Sequence, residues 1–186
     1  FDDQPRLLGQ TLNLHSIFQA NVPVANGTYG NLILSRWAVG STHRISLKRG
    51  IRKSRGAQLV HVETPEGVIH LVNTHLGLDE RERHWQVESL LSHQLFQSSG
   101  MIPTVIAGDF NDWRNTLAER SLASHGFRQV TSPPSEFRSF PSWLPVGGLD
   151  KIFFRGKVVF NRARVVRTSL ARIASDHLPI VVDFSF

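Results

Sequence analysis

The strongest constraint on this chain is a repeated pattern in which a short apolar run stops abruptly at polar or turn-forming residues. Val68–Val72 runs into Asn73-Thr74-His75, Thr104–Ile106 runs into Gly108-Asp109, and Ser175-Asp176-His177 stands just before the run that begins at Leu178. Apolar runs of this length, several alternating with period two, predict strands over Asn31–Ser35, Ala57–Glu63, Val68–His75, Thr104–Gly108, Lys151–Phe154 and Leu178–Phe184. Thr64-Pro65-Glu66-Gly67 separates two of them with a proline and a glycine, which predicts a tight turn and an antiparallel pair. A helix is predicted over Leu78–Ser98. There Trp85, Leu90, Leu91 and Leu95 recur near a helical spacing, Asp79 and Glu80 suit the positive N-terminal end, and Gly100 follows. A shorter helix over Asn115–His125 ends at Gly126. Hairpins mixed with strand–helix–strand connections predict an α/β fold with sheets in the centre and helices outside.

The 186 residues suffice to bury one sizeable core, and a single domain over residues 1–186 is expected. No run of apolar residues approaches the ~18 needed to cross a bilayer. The chain has no cysteine, which excludes disulfides, zinc-thiolate sites and cysteine nucleophiles and fits a reducing compartment such as the cytoplasm. Any metal must therefore sit on oxygen or imidazole. Lysine and arginine number 21 against 15 acidic residues, and several of the excess bases crowd into His43–Arg55, which suits a polyanionic partner; a solvated basic loop is the plain alternative. Four prolines interleaved with Phe137, Phe140 and Trp143 make Thr131–Pro145 an ordered loop packed by its aromatics, of the kind that borders sites.

Chemistry concentrates where rigid strands open into loops. His75 ends one apolar run and can be a site residue or a satisfied core histidine. Asp109 and Asn111, two apart after Gly108, can point the same way in extended backbone and offer a carboxylate beside an amide; the alternative is an Asx-turn, with Asp112 as a cap. Asp150 stands at the mouth of the Lys151–Phe154 strand, where aspartate is commonly a turn former. Asp176 and His177 point to opposite faces if extended, so each needs a partner from elsewhere, and His177 can find Asp150 across neighbouring strands. Two histidines and several carboxylates at strand mouths suit phosphoester hydrolysis, which needs a base for water, an acid for the leaving oxygen and positive charge at the phosphoryl oxygens.

These residues resemble the motif set of the endonuclease/exonuclease/phosphatase family. Tyr29–Arg36 resembles its (Y/H)GN-x-ILSR strand, Asn73–Leu78 its NTHLGL, Gly108–Asn111 its GDFN, Leu149–Ile152 its LD-x-I and Ser175–Pro179 its SDH-x-P, all in the family's order. The likeness is greatest to small bacterial members with a GDFNDW-type motif. It implies a DNase I-like four-layer α/β/β/α sandwich of two mixed sheets flanked by helices, with the site at one end of the sheets. His75 would then sit on the phosphate side, Asp109 would position or deprotonate the attacking water, and Asn111 would contact the phosphate. His177 would be the general base oriented by Asp150. Asp176 would lie close to a magnesium or manganese ion. Asn31 and Asn73 are candidates for substrate contact, as are Trp113 and Arg114.

The chain departs from the family at its start. The family's opening strand ending in asparagine, and the next ending in the glutamate that is the main metal ligand, find no match here, so the fold is expected to lack its first one or two strands. The chain begins with Phe1 and not methionine, in keeping with an N-terminally incomplete domain. Glu80 and Glu82 are read as part of a solvated helix face and not as substitute ligands. The expected activity is divalent-metal-dependent cleavage of phosphodiesters, with nucleic acid as the leading substrate. Small or lipid phosphoesters are the alternative substrates, and a non-catalytic polyanion-binding domain is the alternative function.

Overall fold

A computed structural model of the chain describes residues 3–100 and 102–186; Phe1, Asp2 and Met101 lie outside them. The elements run α1 (Gln4–Leu12), β1 (His15–Val24), β2 (Gly27–Ser35), β3 (Ala38–Ser46), β4 (Gly56–Thr64), β5 (Gly67–His75), α2 (Glu80–Leu91), α3 (Gln94–Gln97), β6 (Thr104–Asp109), β7 (Arg128–Gln129), β8 (Asp150–Arg155), β9 (Val159–Val165), α4 (Ser169–Ala174) and β10 (Ile180–Ser185). Six strands form one mixed sheet in the order β3-β4-β5-β6-β8-β7, while β1-β2 and β9-β10 are separate antiparallel ribbons. Within the large sheet only β5 and β6 run parallel, and the predicted turn closes β4 onto β5 with Thr64 opposite Gly67.

Alternation along the strands builds two cores. Leu59, Val72, Ile106 and Phe153 face the helices, where Val87, Leu90, Leu91 and Phe96 meet them. Their strand neighbours Val60, Val105 and Phe154 face the ribbons, joined by Ile33 and, from β10, Val182 and Phe184. Both faces of the sheet are thus covered, which is why its central strands read as nearly continuous apolar runs.

Where the elements differ from the sequence reading, a polar group explains it. The long helix breaks after Leu91, because His93 leaves the helical backbone and caps α3 by accepting from Leu95 N–H at 3.2 Å. The buried face of α2 carries Glu82, Arg83 and Gln86 beside Val87, Leu90 and Leu91, whereas Trp85 is half exposed. Glu82, read as solvated, is only 4% exposed: Arg52 donates to it at 3.1 Å and Gln86 at 3.2 Å, and it fills the space above Gly77. The shorter helix forms as a π-helical turn over Ala118–Leu122 and a 3-10 turn over Ala123–His125, stopped by Gly126 at φ 77°. In the proline-rich loop Phe137 is buried as expected, but Trp143 stands out in solvent.

On β5, His70 is 1% exposed and neither ring nitrogen has a hydrogen-bond partner among the described residues; its ring meets those of His61 and Phe96. Burial, with the positive charge of neighbouring groups behind it, pushes His70 down from 6.5 to about 3. Between those values the unfolded chain takes up a proton that the folded one refuses. Stability from the neutral ring is therefore complete above the ordinary histidine range and drains away as pH falls towards 3. His70→Leu is expected to move the acid-unfolding midpoint, followed by circular dichroism, to lower pH. An unmoved or raised midpoint would contradict this account.

Candidate active site at the strand ends

The central ladder brings three of the predicted residues into one row. In the β5-β6 register His75 lies opposite Asp109, and in the β6-β8 register Asp109 lies opposite Asp150. His75 Nε2 is 3.4 Å from Asp109 Oδ2. The fourth residue comes from another layer. His177 precedes β10 in a ribbon, so it reaches Asp150 across the layers and not from a neighbouring strand as the sequence suggested. Its Nδ1–H donates to Asp150 Oδ2 at 2.7 Å, which leaves Nε2 facing Asp109 Oδ2 at 3.9 Å. Asp150 also accepts from the Ser139 hydroxyl.

Gly108 makes the row possible. It sits at φ 149° opposite Thr74, and a Cβ there would fall 1.8 Å from the Thr74 carbonyl oxygen. Only glycine permits this approach of β6 to β5.

Beyond Asp109 the backbone turns sharply. Asn111 is left-handed at φ 50°, so it does not lie beside Asp109 on an extended strand. An Asx-turn forms instead, with Asn111 N–H donating to Asp109 Oδ1 at 2.8 Å, while the Asn111 amide donates to the Leu76 carbonyl at 3.0 Å. Asn111 thereby ties the exit of β6 to the exit of β5. Asp112 is fully buried and caps the next turn, accepting from Leu117 N–H at 2.9 Å.

The two histidines are tuned in opposite directions. Burial, reinforced by Arg55, Lys53 and His177, pushes His75 down to about 4, so its ring is neutral at physiological pH. The hydrogen bond to Asp150 raises His177 against the effect of burial. Burial also pushes the Asp109 carboxyl up, opposed by the Asn111 N–H. A neutral donor beside a basic imidazole is an arrangement suited to acid–base chemistry.

The remaining candidates fall elsewhere. The Asn31 amide donates to Gly56 O at 3.0 Å and to Asn73 O at 3.4 Å, and the Asn73 amide donates to Leu32 O at 3.0 Å. These donors sew β2 to the large sheet, a role the sequence reading did not assign to them. Trp113 is 57% exposed and packs over Gly147 with its edge towards Phe140, on the rim of the site. Arg114 is exposed and lies 3.9 Å from Glu80. Asp176 is exposed beside His177, its carboxylate 3.4 Å from the Ser175 hydroxyl.

Three participants were not singled out from sequence. Tyr29 brings its hydroxyl to 3.2 Å from His75 Nδ1, Ser139 holds Asp150, and Arg55 is only 7% exposed, with its Nε unpartnered and its charge acting on His75 and Asp109. Tyr29 opens the Tyr29–Arg36 motif, and that is the signal the sequence carries for it. The burial of Arg55 within a basic run carries none.

Among the described residues no group of three or more histidine, aspartate or glutamate side chains is placed to hold a metal ion. Asp109 and Asp150 are the two carboxylates of the row, fewer oxygen donors than the roughly six or more that a hard cation takes.

A mixed sheet flanked by helices, with this row at its strand ends, has the architecture of DNase I-like phosphoesterases. The chain belongs to the endonuclease/exonuclease/phosphatase family, whose model matches residues 2–177. It is 27% identical over 183 residues to YbhP of Escherichia coli strain K12, covering 93% of this chain and 69% of YbhP. Among solved structures it is similar to an endonuclease/exonuclease/phosphatase from Beutenbergia cavernae, with a TM-score of 0.82 at 22% identity, covering 98% of this chain and 57% of that one. It is also similar to the mannosyl-6-phosphatase Bt3783 of Bacteroides thetaiotaomicron, with a TM-score of 0.75 at 16% identity, covering 98% and 81%. At these identities the structural likeness concerns the fold alone.

Gly108→Ala is expected to destabilise the protein by about 1–3 kcal/mol, the usual cost of a strained backbone conformation. Denaturant unfolding measures this, and a change within about 0.5 kcal/mol, typical of a neutral surface substitution, would contradict it.

Proposed function

We propose that this chain carries the acid–base centre of a divalent-metal-dependent phosphodiester hydrolase. The observation that supports it is the His177–Asp150 pair, its free Nε2 turned towards Asp109 and His75 at the ends of three adjacent strands. Asp109 positions a water, and His177 Nε2 takes its proton while Asp150 fixes the imidazole. The water oxygen bonds to phosphorus, one ester P–O bond breaks, and the leaving oxygen takes up a proton from solvent, so a diester yields a monoester and an alcohol. His75, neutral, offers a hydrogen bond to a phosphoryl oxygen.

Magnesium or manganese would supply positive charge at the phosphoryl oxygens. The exposed carboxylate of Asp176, next to His177 in the chain, is an oxygen donor for such an ion, and a further carboxylate is needed to complete a hard-cation site.

For the substrate, nucleic acid draws support from the basic segment and from a cleft of about 910 Å³ lined by Arg49, Arg52, Arg81 and Arg120 with Asp79 and Glu80. Much of that charge is engaged locally. Arg52 pairs with Glu82, Arg120 lies 3.8 Å from Glu80, and Arg49 donates to the Arg81 carbonyl and covers the Trp85 ring. A lipid phosphodiester is the second reading, favoured by an exposed apolar rim beside His177.

Hydrolysis of bis(p-nitrophenyl) phosphate by the protein that contains this chain is expected to require magnesium or manganese, to stop with chelator and to return on adding metal. His177→Ala is expected to slow it by about 10² to 10⁴. An unchanged rate removes His177 from the base role. Polyanion binding with no turnover under any metal condition favours the non-catalytic reading.

A further inference from the structure

Beside the site, two segments pack side by side with their apolar residues facing solvent. Arg172 Nη1 donates to the Trp143 carbonyl at 3.2 Å, and the Ser142 hydroxyl donates to the Arg172 carbonyl at 3.0 Å, so the loop over residues 140–147 is pinned to α4. On these two segments Trp143 is 70% exposed, Leu144 57%, Val146 56%, Leu170 71% and Ile173 82%. Single exposed apolar residues are ordinary, but five on two adjoining segments mark an interaction surface. The surface borders the site directly: Phe140 opens the loop with its ring 4.8 Å from that of His177, and α4 leads into Ser175-Asp176-His177.

Arginine edges this surface: Arg138 stands just before the loop, Arg167 just before α4 and Arg172 within it, and all three are exposed. The flanking acids are Glu136, before the loop, and Asp176, at the end that meets the site. A tryptophan with large aliphatic side chains, edged by arginine, has the composition of a surface that enters the interface of an anionic bilayer.

Nucleic acid fits less well. Leu144, Val146, Leu170 and Ile173 offer nothing to a phosphate or a base edge, and nucleic-acid interfaces are polar and wet. No helix among the described residues is long and apolar enough to cross a membrane, so attachment would be to its surface.

We propose that the 140–147 loop and α4 form a membrane-docking surface that seats the mouth of the His177–Asp150 site on an anionic phospholipid bilayer, and that the phosphodiester presented there is a lipid headgroup's. The second half rests on the phosphodiesterase reading; the docking does not.

The test is co-sedimentation with vesicles of phosphatidylcholine alone and of phosphatidylcholine mixed with phosphatidylglycerol. The protein is expected to bind the mixed vesicles more tightly, and less so as salt rises. The double substitution Trp143→Ser with Ile173→Asp is expected to weaken this at least about tenfold. Val68→Asp, at the opposite end of the sheet, and His177→Ala are expected to leave it unchanged. Absence of binding to mixed vesicles, or full binding by the double variant, overturns the docking surface. It is overturned equally by self-association, or by binding of an oligonucleotide, that the double variant abolishes while vesicles are ignored. If vesicles are bound and bis(p-nitrophenyl) phosphate is hydrolysed but no headgroup alcohol or phosphomonoester is released, the lipid-substrate half falls alone. If no diester is hydrolysed, that half falls together with the phosphodiesterase reading, while the docking result stands.

Discussion

The hydrogen-bonded register of β5, β6 and β8 is the constraint on which the rest depends. Because His75, Asp109 and Asp150 occupy opposing positions in three adjacent strands, their spacing follows from the distance between strands and not from loop conformation. Gly108 allows the close approach, and Asn111 fixes how the chain leaves it. His177 lies outside this ladder, and it is held to the row by its hydrogen bond to the Asp150 carboxylate, which Ser139 also steadies. Rigid placement of this kind is what proton transfer requires.

The electrostatics follow from the same placement. Setting two histidines and two carboxylates in a partly buried row means each feels the others through little water, so modest differences in partner drive the imidazoles apart. His75 has Arg55 and Lys53 nearby and loses its proton readily, whereas His177 has Asp150 and keeps it longer. Arg55 achieves this from within the protein, although in the sequence it is one base among several in an exposed-looking run.

The central strands and the four strand-end motifs were legible from sequence because each combines a strong apolar run with an abrupt polar end. What escaped had mixed patterns. β1, β3 and β9 carry polar residues on a face that is open to solvent, so no strand is predicted for them from sequence. In α2 the first buried positions are Glu82, Arg83 and Gln86, and periodicity cannot distinguish a charged side chain turned inward to its partners from one turned outward. Trp85 and Trp143 misled in the opposite sense, since size and hydrophobicity predict burial while both rings are left on the surface. Asn31 and Asn73 lie in motif positions, yet their amides join layers, a role visible only when β2 is seen lying over the large sheet.

The sense of the strands around the site carries a consequence for how such a scaffold can diversify. The chain leaves the sheet at His75 and at Asp109 but enters it at Asp150, so one edge of the sheet gathers two exits and an entrance. Every connection at that edge can lengthen, shorten or change in polarity while the candidate site residues stay anchored in the ladder. Trp113 and the segment bearing Trp143 and Leu144 lie on such connections, where new recognition can be acquired without rebuilding the chemistry beneath it.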